Sequence, residues 1–250
     1  MTLLMLSVGC GSTERIEGKV VDVWGNPISG ATVMVVGGSE RPMTDANGRY
    51  AIARADGRME MKAGCKGYIQ EHRELVVEPG DRQPQGPLFE LYPKPEAAGF
   101  YVVGTGRYAE LEAQPVKFVG NALQQFRGIA DHGEVTVESG RPRIVFHTDL
   151  REDEILRLGL ELHQLKYAAQ ETIPGPVGTA EITVNLWVDG GKRGVDLVPL
   201  RSKTDYLLTP TEVLEPGTYV LETQGLLSGS PEAFAQIPEE LRLVFPFEVR

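Results

Sequence analysis

The sequence predicts an all-β protein made of two β-sandwich domains, on the evidence of its turn residues and its alternating hydrophobicity. The chain has 29 glycines and 17 prolines among 250 residues, spread along its whole length. These residue types divide a chain into short elements joined by turns. Apolar and polar residues alternate at 156–162 and at 241–249, as in strands with one buried face. Helices are expected only as short pieces, at 121–127 and 231–236.

Composition and charge narrow the class of protein. Hydrophobic residues make up 41% of the chain and charged residues 24%, which is typical of folded globular domains. A chain of this length can form two modest domains, each with its own core. The formal net charge of −10 would repel the phosphates of a nucleic acid, so no nucleic-acid partner is expected.

The N-terminus carries an apolar run that ends at a cysteine. Residues 2–9 contain no charge, and the run is too short to span a bilayer but has the length of a signal-peptide core. The end of the run, Ser7-Val8-Gly9-Cys10, resembles the lipobox of bacterial lipoproteins. That resemblance implies a signal and tether at 1–13, diacylglycerol on Cys10, and anchoring in the bacterial cell envelope, at the outer membrane or its periplasmic face. The alternative is a buried N-terminal strand.

Residues 14–95 are predicted to form the first sandwich. Strands are expected where β-branched and alternating residues cluster between turn signals, at 16–21, 32–36, 50–52, 58–63 and 68–77. Asn47-Gly48 supplies the positive φ values of a tight turn, and Asp45 can accept hydrogen bonds from nearby backbone N–H groups. Cys65 is expected to pack in the core as a small apolar residue.

The order of the motifs in this region resembles the carboxypeptidase regulatory-like domain. The segments concerned are Gly18-Lys19-Val20-Val21-Asp22, Gly25-Asn26-Pro27-Ile28, Gly30-Ala31-Thr32-Val33, Thr44-Asp45-Ala46-Asn47-Gly48-Arg49-Tyr50 and Gly67-Tyr68. The resemblance implies a small transthyretin-like sandwich without catalytic residues, appended in its family to peptidases, transporters and envelope proteins. It also implies that Tyr50 is a core residue that follows a turn.

A second sandwich is predicted at 96–250, after a stiff connector containing Pro93 and Pro95. Before this connector, a polar, Pro-rich stretch at 78–87 precedes a candidate last strand of the first sandwich at 88–92. Early proteolytic cuts are expected between residues 78 and 96. In the second half, a hairpin is predicted around Asp189-Gly190-Gly191. Tyr219 follows a Pro-Gly turn and enters a strand, which resembles the tyrosine corner of Greek-key, immunoglobulin-like sandwiches.

No catalytic motif is found, so the sequence predicts no enzyme, no cofactor and no metal. The chain contains no nucleophile elbow, dinucleotide fingerprint or phosphate loop. His163 falls on the polar phase of a predicted strand, and its side chain is expected to be solvated. An acidic segment could supply oxygens to calcium, but a solvated loop is the favoured interpretation. That segment contains Asp149, Glu152, Asp153 and Glu154.

These observations predict a non-catalytic, lipid-anchored envelope protein that serves scaffolding, adhesion or assembly. Its partner would be an envelope protein or a glycan, and its contact with the membrane would be through the lipid alone. One alternative is a carbohydrate- or peptide-binding module, with Trp24, Trp187 and Tyr101 as candidate aromatics. Trp24 lies at a turn and is expected to be exposed, whereas Trp187 is expected to be a core residue. Another alternative is an accessory subunit of a secreted peptidase or transporter.

Overall fold

A computed structural model describes residues 14–121, 123–138, 140–176 and 178–250. Strands dominate, which confirms the all-β prediction. The chain divides into two compact units, of which the first ends at Lys94 and the second spans Pro95–Arg250. Cys10, the predicted lipidation site, lies outside the described residues. Within the described ranges, no helix is both long enough and apolar enough to cross a membrane.

The first unit is a sandwich of two three-stranded sheets. One sheet has the order β3-β1-β6, in which β1 pairs antiparallel with β3 and parallel with β6. The other has the order β2-β4-β5 and is antiparallel throughout. The strands are β1 Arg15–Asp22, β2 Thr32–Val35, β3 Arg49–Ala53, β4 Gly57–Gly64, β5 Glu71–Val77 and β6 Gln85–Leu91.

The core of the first unit is built around Tyr50. This residue is 3% exposed, and its hydroxyl donates a hydrogen bond to the Pro87 carbonyl at 2.8 Å. Gly18 lies opposite Tyr50 on β1, and a Cβ at Gly18 would come within 2.3 Å of the Tyr50 hydroxyl oxygen. Gly86 approaches the same oxygen, at 2.8 Å from an added Cβ. The tyrosine therefore fills space that two glycines leave open, and its predicted place in the core is confirmed.

The predicted turn before Tyr50 is also present. Asp45 Oδ1 accepts hydrogen bonds from the backbone N–H groups of Asn47 and Arg49, each at 2.8 Å. Gly48 has a φ of +72°, and a Cβ there would lie 2.4 Å from the Val20 carbonyl oxygen. The Asp45 carboxylate thus stabilises the backbone of the turn.

The predicted last strand of the first sandwich is present and begins earlier, within the Pro-rich stretch. Gln85–Leu91 forms β6, because its apolar residues Phe89 and Leu91 are fully buried beside β1. Residues 78–83 are exposed and remain the accessible part of the stretch. Cys65 is a free thiol, partly buried against the first core.

The second unit is a larger sandwich. An eight-stranded sheet has the order β10-β11-β15-β14-β18-β19-β12, with β9 also paired to β19, and a five-stranded sheet has the order β16-β17-β13-β7-β8. The strands are β7 Gly99–Val103, β8 Tyr108–Glu110, β9 Gln114–Pro115, β10 Lys117–Gly120, β11 Gln125–Ile129, β12 Thr136–Val137, β13 Ile144–His147, β14 Glu161–Pro174, β15 Thr179–Arg193, β16 Val195–Pro199, β17 Asp205–Pro210, β18 Gly217–Glu222 and β19 Leu243–Val249. Between β13 and β18 the chain switches repeatedly from one sheet to the other, as in Greek-key sandwiches.

The two sheets of the second unit enclose its main core. The five-stranded sheet contributes Phe100, Ile144 and Leu208, and the eight-stranded sheet contributes Leu162 and Phe247. These side chains belong to one buried cluster, so the inner faces of both sheets are covered.

Part of the outer face of the eight-stranded sheet is covered as well. Helix α2, Pro231–Gln236, places Phe234 against the sheet residues Leu165 and Val220, together with Leu226 of the preceding loop. This helix was predicted, and it begins where the Ser230 hydroxyl accepts a hydrogen bond from the Ala233 N–H at 3.1 Å. The loop 223–230 and helix α2 together cover this part of the sheet, and we call them the roof.

The tyrosine corner is confirmed. Tyr219 is 1% exposed, and its hydroxyl donates to the Glu215 carbonyl at 2.9 Å. Its ring stacks on Phe247, with 5.8 Å between the centroids. The residue therefore anchors the turn that leads into β18.

Two secondary-structure predictions are wrong in part of the second unit. Asn121 and residues 123–127 belong to the hairpin of β10 and β11, where the Asn121 side chain accepts hydrogen bonds from the Leu123 and Gln124 N–H groups and so stabilises a turn. Residues 156–158 end helix α1, Glu152–Leu158, instead of beginning a strand. Glu154 accepts a hydrogen bond from the Arg151 N–H at 2.8 Å, which caps this helix, and β14 begins only at Glu161.

The predicted hairpin at Asp189-Gly190-Gly191 is also wrong. β15 runs through these residues, because a register shift between Gln164 and Leu165 of β14 accommodates them as an irregularity within the ladder. The chain reverses earlier, between β14 and β15, where the Gly175 N–H donates to the Gly178 carbonyl at 2.9 Å.

Candidate functional site

The candidate site lies on the outer face of the eight-stranded sheet, under the roof. Glu161 of β14 lies directly opposite Glu222 of β18, and His163 follows Glu161 by two residues. Residues two apart on a strand share a face, and opposite residues on neighbouring strands lie side by side. The sheet therefore places one histidine between two glutamates.

The distances within this cluster are those of direct contact. His163 Nε2 lies 3.1 Å from Glu161 Oε2 and 3.0 Å from Glu222 Oε1. His163 Nδ1 lies 2.9 Å from Asp189 Oδ1 of β15. We call these four residues the histidine–carboxylate cluster.

The predicted solvated side chain of His163 is wrong. The ring is 2% exposed, and Glu222 is fully buried. His163 does lie on the opposite face of β14 from the core residue Leu162, as the alternation indicates. That face is buried because the roof covers it, and strand periodicity gives no signal of such a cover. The sequence feature that could have indicated the site is the spacing of Glu161 and His163, which places two ionisable groups on one face of the same strand.

Each carboxylate of the cluster is held by a second partner. Glu222 Oε2 accepts a hydrogen bond from the Leu227 N–H of the roof at 2.6 Å. Glu161 Oε1 pairs with Lys192 Nζ at 2.6 Å, and Asp189 Oδ1 accepts a hydrogen bond from the Gly191 N–H at 2.8 Å. The oxygens that face the imidazole are thereby fixed in orientation.

A buried arginine lies beside the cluster. Arg127 donates a hydrogen bond to the Gly229 carbonyl in the roof, and its guanidinium lies 5.1 Å from the centre of the Phe234 ring. Burial lowers the pKa of Arg127, and the negative charge of Glu222 acts in the opposite direction. The charge of Glu222 is thus balanced in part by a guanidinium that also supports the roof.

Opposing effects act on the pKa of His163. Burial lowers it, whereas hydrogen bonds to Glu222, Asp189 and Glu161 raise it, and the result is a pKa of about 9. This raised pKa favours the imidazolium form of the ring at neutral pH. Lys192 is the main reason that the pKa of Glu161 is lowered.

A second buried histidine lies in the five-stranded sheet. His147 of β13 is opposite Asp205 of β17, and its Nδ1 lies 2.7 Å from Asp205 Oδ1. The hydroxyls of Ser202 and Thr204 donate to Asp205 Oδ2, at 2.5 and 2.9 Å. Because Ser202 bonds to the carboxylate and not to the imidazole, this group has no activated nucleophile. It fastens two neighbouring strands.

Of the three aromatic residues proposed for ligand binding, one is buried and the two tryptophans are partly buried. Tyr101 is 8% exposed and donates to the Ala97 carbonyl at 2.9 Å, so its role as an exposed aromatic is wrong. Trp24 is partly buried in the first unit. Trp187 is partly buried too, and its ring lies 5.4 Å from that of Tyr167 with 58° between the planes. This second-unit pair is tilted, unlike a coplanar platform.

The acidic segment is part of α1 and of the turn before it. Asp153 lies 3.3 Å from both Arg151 and Arg157, and Glu154 caps the helix through the Arg151 N–H. These carboxylates therefore serve the start of a short helix and its surface ion pairs.

Comparison with known proteins yields one curated relative of viral origin. Structural protein 27 of a virus (isolate Australia/Victoria) is 36% identical over 66 residues, which are 26% of this chain and 13% of that protein. The chain thus spans only a small part of the length of this relative.

Two solved structures align over most of the chain. One is BcpA, the major pilin subunit of Bacillus cereus. The alignment includes 94% of this chain and 68% of BcpA, with 12% sequence identity and a TM-score of 0.23. For a variant of the same subunit, the alignment includes 94% of this chain and 67% of the variant, with 11% sequence identity and a TM-score of 0.25. Alignments with TM-scores this low support no conclusion about this chain.

The first unit matches a known family. Residues 15–86 match the family model of the carboxypeptidase regulatory-like domain, which confirms the resemblance of the first unit to that domain.

Proposed function

We propose that the chain is a non-catalytic structural or assembly module of the bacterial cell envelope, anchored by lipid on Cys10. The anchoring part of the proposal rests on the segment Ser7-Val8-Gly9-Cys10, and the structural part rests on the contacts of two buried histidines in the second unit. His147 pairs with Asp205 of a neighbouring strand at 2.7 Å, and His163 lies 2.9–3.1 Å from Asp189 and Glu222 of neighbouring strands and from Glu161 of its own strand. Such contacts fasten a sheet, whereas a catalytic base needs access to a proton on a substrate.

The first unit supports the same proposal. It matches a domain that accompanies other proteins, and its most buried polar side chain, Tyr50, bonds to backbone. A partner of the envelope, either a protein or a glycan, would then be bound by surfaces of the two sandwiches.

The anchoring part of the proposal is tested by mass. Full-length protein produced in a bacterial host and extracted from membranes should carry acyl groups, and Cys10→Ser should abolish them. Cys65→Ser is the matched control, because Cys65 is a partly buried thiol within the first unit, and it should leave the acyl mass unchanged. Recovery of an unmodified, soluble protein that begins at Met1 would contradict the proposal.

Glycan binding is the second candidate, because Tyr167 is 54% exposed beside Trp187. Exposed aromatic rings can supply apolar contact area together with a polar tip. Under this candidate, Tyr167→Ala should weaken retention on immobilised envelope polysaccharide. Phe118→Ala is the control, since Phe118 is similarly exposed, at 55%, on a different strand. Equal retention of both variants and of the wild type would exclude this surface.

A further inference from the structure

We propose that Glu161, His163 and Glu222 form a binding site for a single divalent ion of the zinc class, with Asp189 orienting the histidine. One ligand atom from each of the three residues lies within 4.8 Å of the other two. The inference uses the same contacts of His163 as the proposed structural role, but it does not depend on the envelope location or on the lipid anchor.

The separations fit a small ion. His163 Nε2 is 3.0 Å from Glu222 Oε1 and 3.1 Å from Glu161 Oε2. Zinc binds nitrogen and oxygen ligands at about 2.0–2.2 Å in tetrahedral geometry, which places the ligand atoms roughly 3.3 Å apart. Small movements of the glutamate side chains would thus admit the ion. Calcium is a poorer fit, because it takes about 6–8 oxygen ligands and one of these three donors is nitrogen.

The second partners of the ligands strengthen the assignment. Asp189 holds His163 Nδ1 at 2.9 Å, which is the carboxylate–histidine arrangement that orients imidazole ligands in metal sites. Lys192 holds the outer oxygen of Glu161, and the Leu227 N–H holds the outer oxygen of Glu222, each at 2.6 Å. Each ligand is therefore held through an atom that does not face the site, and the site-facing Glu222 Oε1 also accepts a hydrogen bond from the Ser228 hydroxyl at 3.3 Å.

Charge and access favour the same conclusion. The two carboxylate ligands are negatively charged, and a divalent ion would take the place of the Nε2 proton of His163 between them. Glu222 and His163 are buried, but the side chain of Glu161 is 26% exposed. An ion can enter from that side, and a water molecule can complete the coordination.

The test is titration of the full-length chain, stripped by chelator, with zinc chloride in a calorimeter. We expect one saturable site per chain in the wild type and at least a tenfold loss of affinity in His163→Gln. His72→Gln is the matched control, because His72 pairs with Glu60 in the first unit, and it should bind as the wild type does. Absence of saturable binding in the wild type, or equal affinities of the two histidine variants, would overturn the proposal.

A second variant covers the case in which His163→Gln does not fold. Asp189→Asn keeps the three ligands and weakens only the orientation of His163, so affinity should fall by about 10–100-fold with the stoichiometry unchanged. Cobalt chloride added to the wild type should also give the visible absorption of tetrahedral Co²⁺, and Asp189→Asn should reduce it at equal cobalt. If Asp189→Asn binds zinc like the wild type, the ion lies elsewhere and the assignment fails.

Discussion

The two units bury polar groups by different means. The first unit buries a neutral hydroxyl, that of Tyr50, in a space left by Gly18 and Gly86. The second unit buries ionised side chains, with the imidazole of His163 against three carboxylates. A neutral group needs one hydrogen-bond partner, whereas buried charges need several partners and a cover that excludes water. The first arrangement is therefore encoded locally, and the second depends on the assembled fold.

Truncation of either buried tyrosine should give the largest effect and should be confined to one unit. Tyr50→Ala is expected to lower the free energy of unfolding of the first unit by about 3–5 kcal/mol, and Tyr219→Ala that of the second by a similar amount. The chain has one tryptophan in each unit. Trp187→Phe therefore leaves Trp24 as a fluorescent reporter of the first unit, and Trp24→Phe leaves Trp187 for the second. If either alanine variant shifts both reporters equally, the units are not separate in stability.

An added methyl group opposite Tyr50 should come next in size. Gly18→Ala places a Cβ within 2.3 Å of the Tyr50 hydroxyl oxygen, and the ring must move, at a cost of about 1–3 kcal/mol in the first unit. Gly64→Ala is the control, because a Cβ there would meet only the Gln70 side chain at 3.7 Å. Urea denaturation followed through Trp24 measures both. Equal midpoints would show that Tyr50 does not depend on the space at Gly18.

Removal of the hydroxyl alone should give the smallest change. Tyr219→Phe leaves the Glu215 carbonyl without its side-chain donor, and Tyr50→Phe does the same to the Pro87 carbonyl. Each should cost on the order of 1 kcal/mol, in its own unit only. Chemical denaturation with the two reporters distinguishes them. Unchanged midpoints in Tyr219→Phe would mean that the ring, and not the corner hydrogen bond, stabilises the turn.

Much of the first unit could be predicted from sequence, because its signals are local. The Asp45 turn, the positive φ of Gly48 and the core position of Tyr50 lie within a few residues of one another. The start of β6 was missed, since Pro84 and Pro87 favour the prediction of a connector. The segment is a strand because Phe89 is buried beside β1.

The candidate site could not be predicted, because its residues meet only across strands. Glu161 and His163 are near in sequence, but Glu222 follows about sixty positions later and joins them through the pairing of β14 with β18. Polar residues on one phase of a strand normally face solvent, and here the roof buries them. The Tyr219 corner, in contrast, was predictable, since its partner Glu215 is only four residues away.

The pH dependence of each unit tests the contrast between neutral and ionised burial most directly. The folded pKa of His163, about 9, lies above its ordinary value of 6.5, so its stabilising effect is complete below about pH 6.5 and is lost as the pH rises through 9. Burial raises the pKa of Tyr50 above its ordinary value of 10.0, so the corresponding effect in the first unit is lost only at still higher pH.

Urea denaturation of the two single-tryptophan chains at pH 6 and 9.5, with chelator present, is the decisive measurement. From pH 6 to pH 9.5, the urea midpoint reported by Trp187 should fall, and the free energy of unfolding of the second unit should fall by up to about 3 kcal/mol. The midpoint reported by Trp24 should change little. His163→Gln should remove this difference between the two pH values in the second unit. A Trp187 midpoint that is the same at both pH values, or a Trp24 midpoint that falls in parallel, would contradict the account.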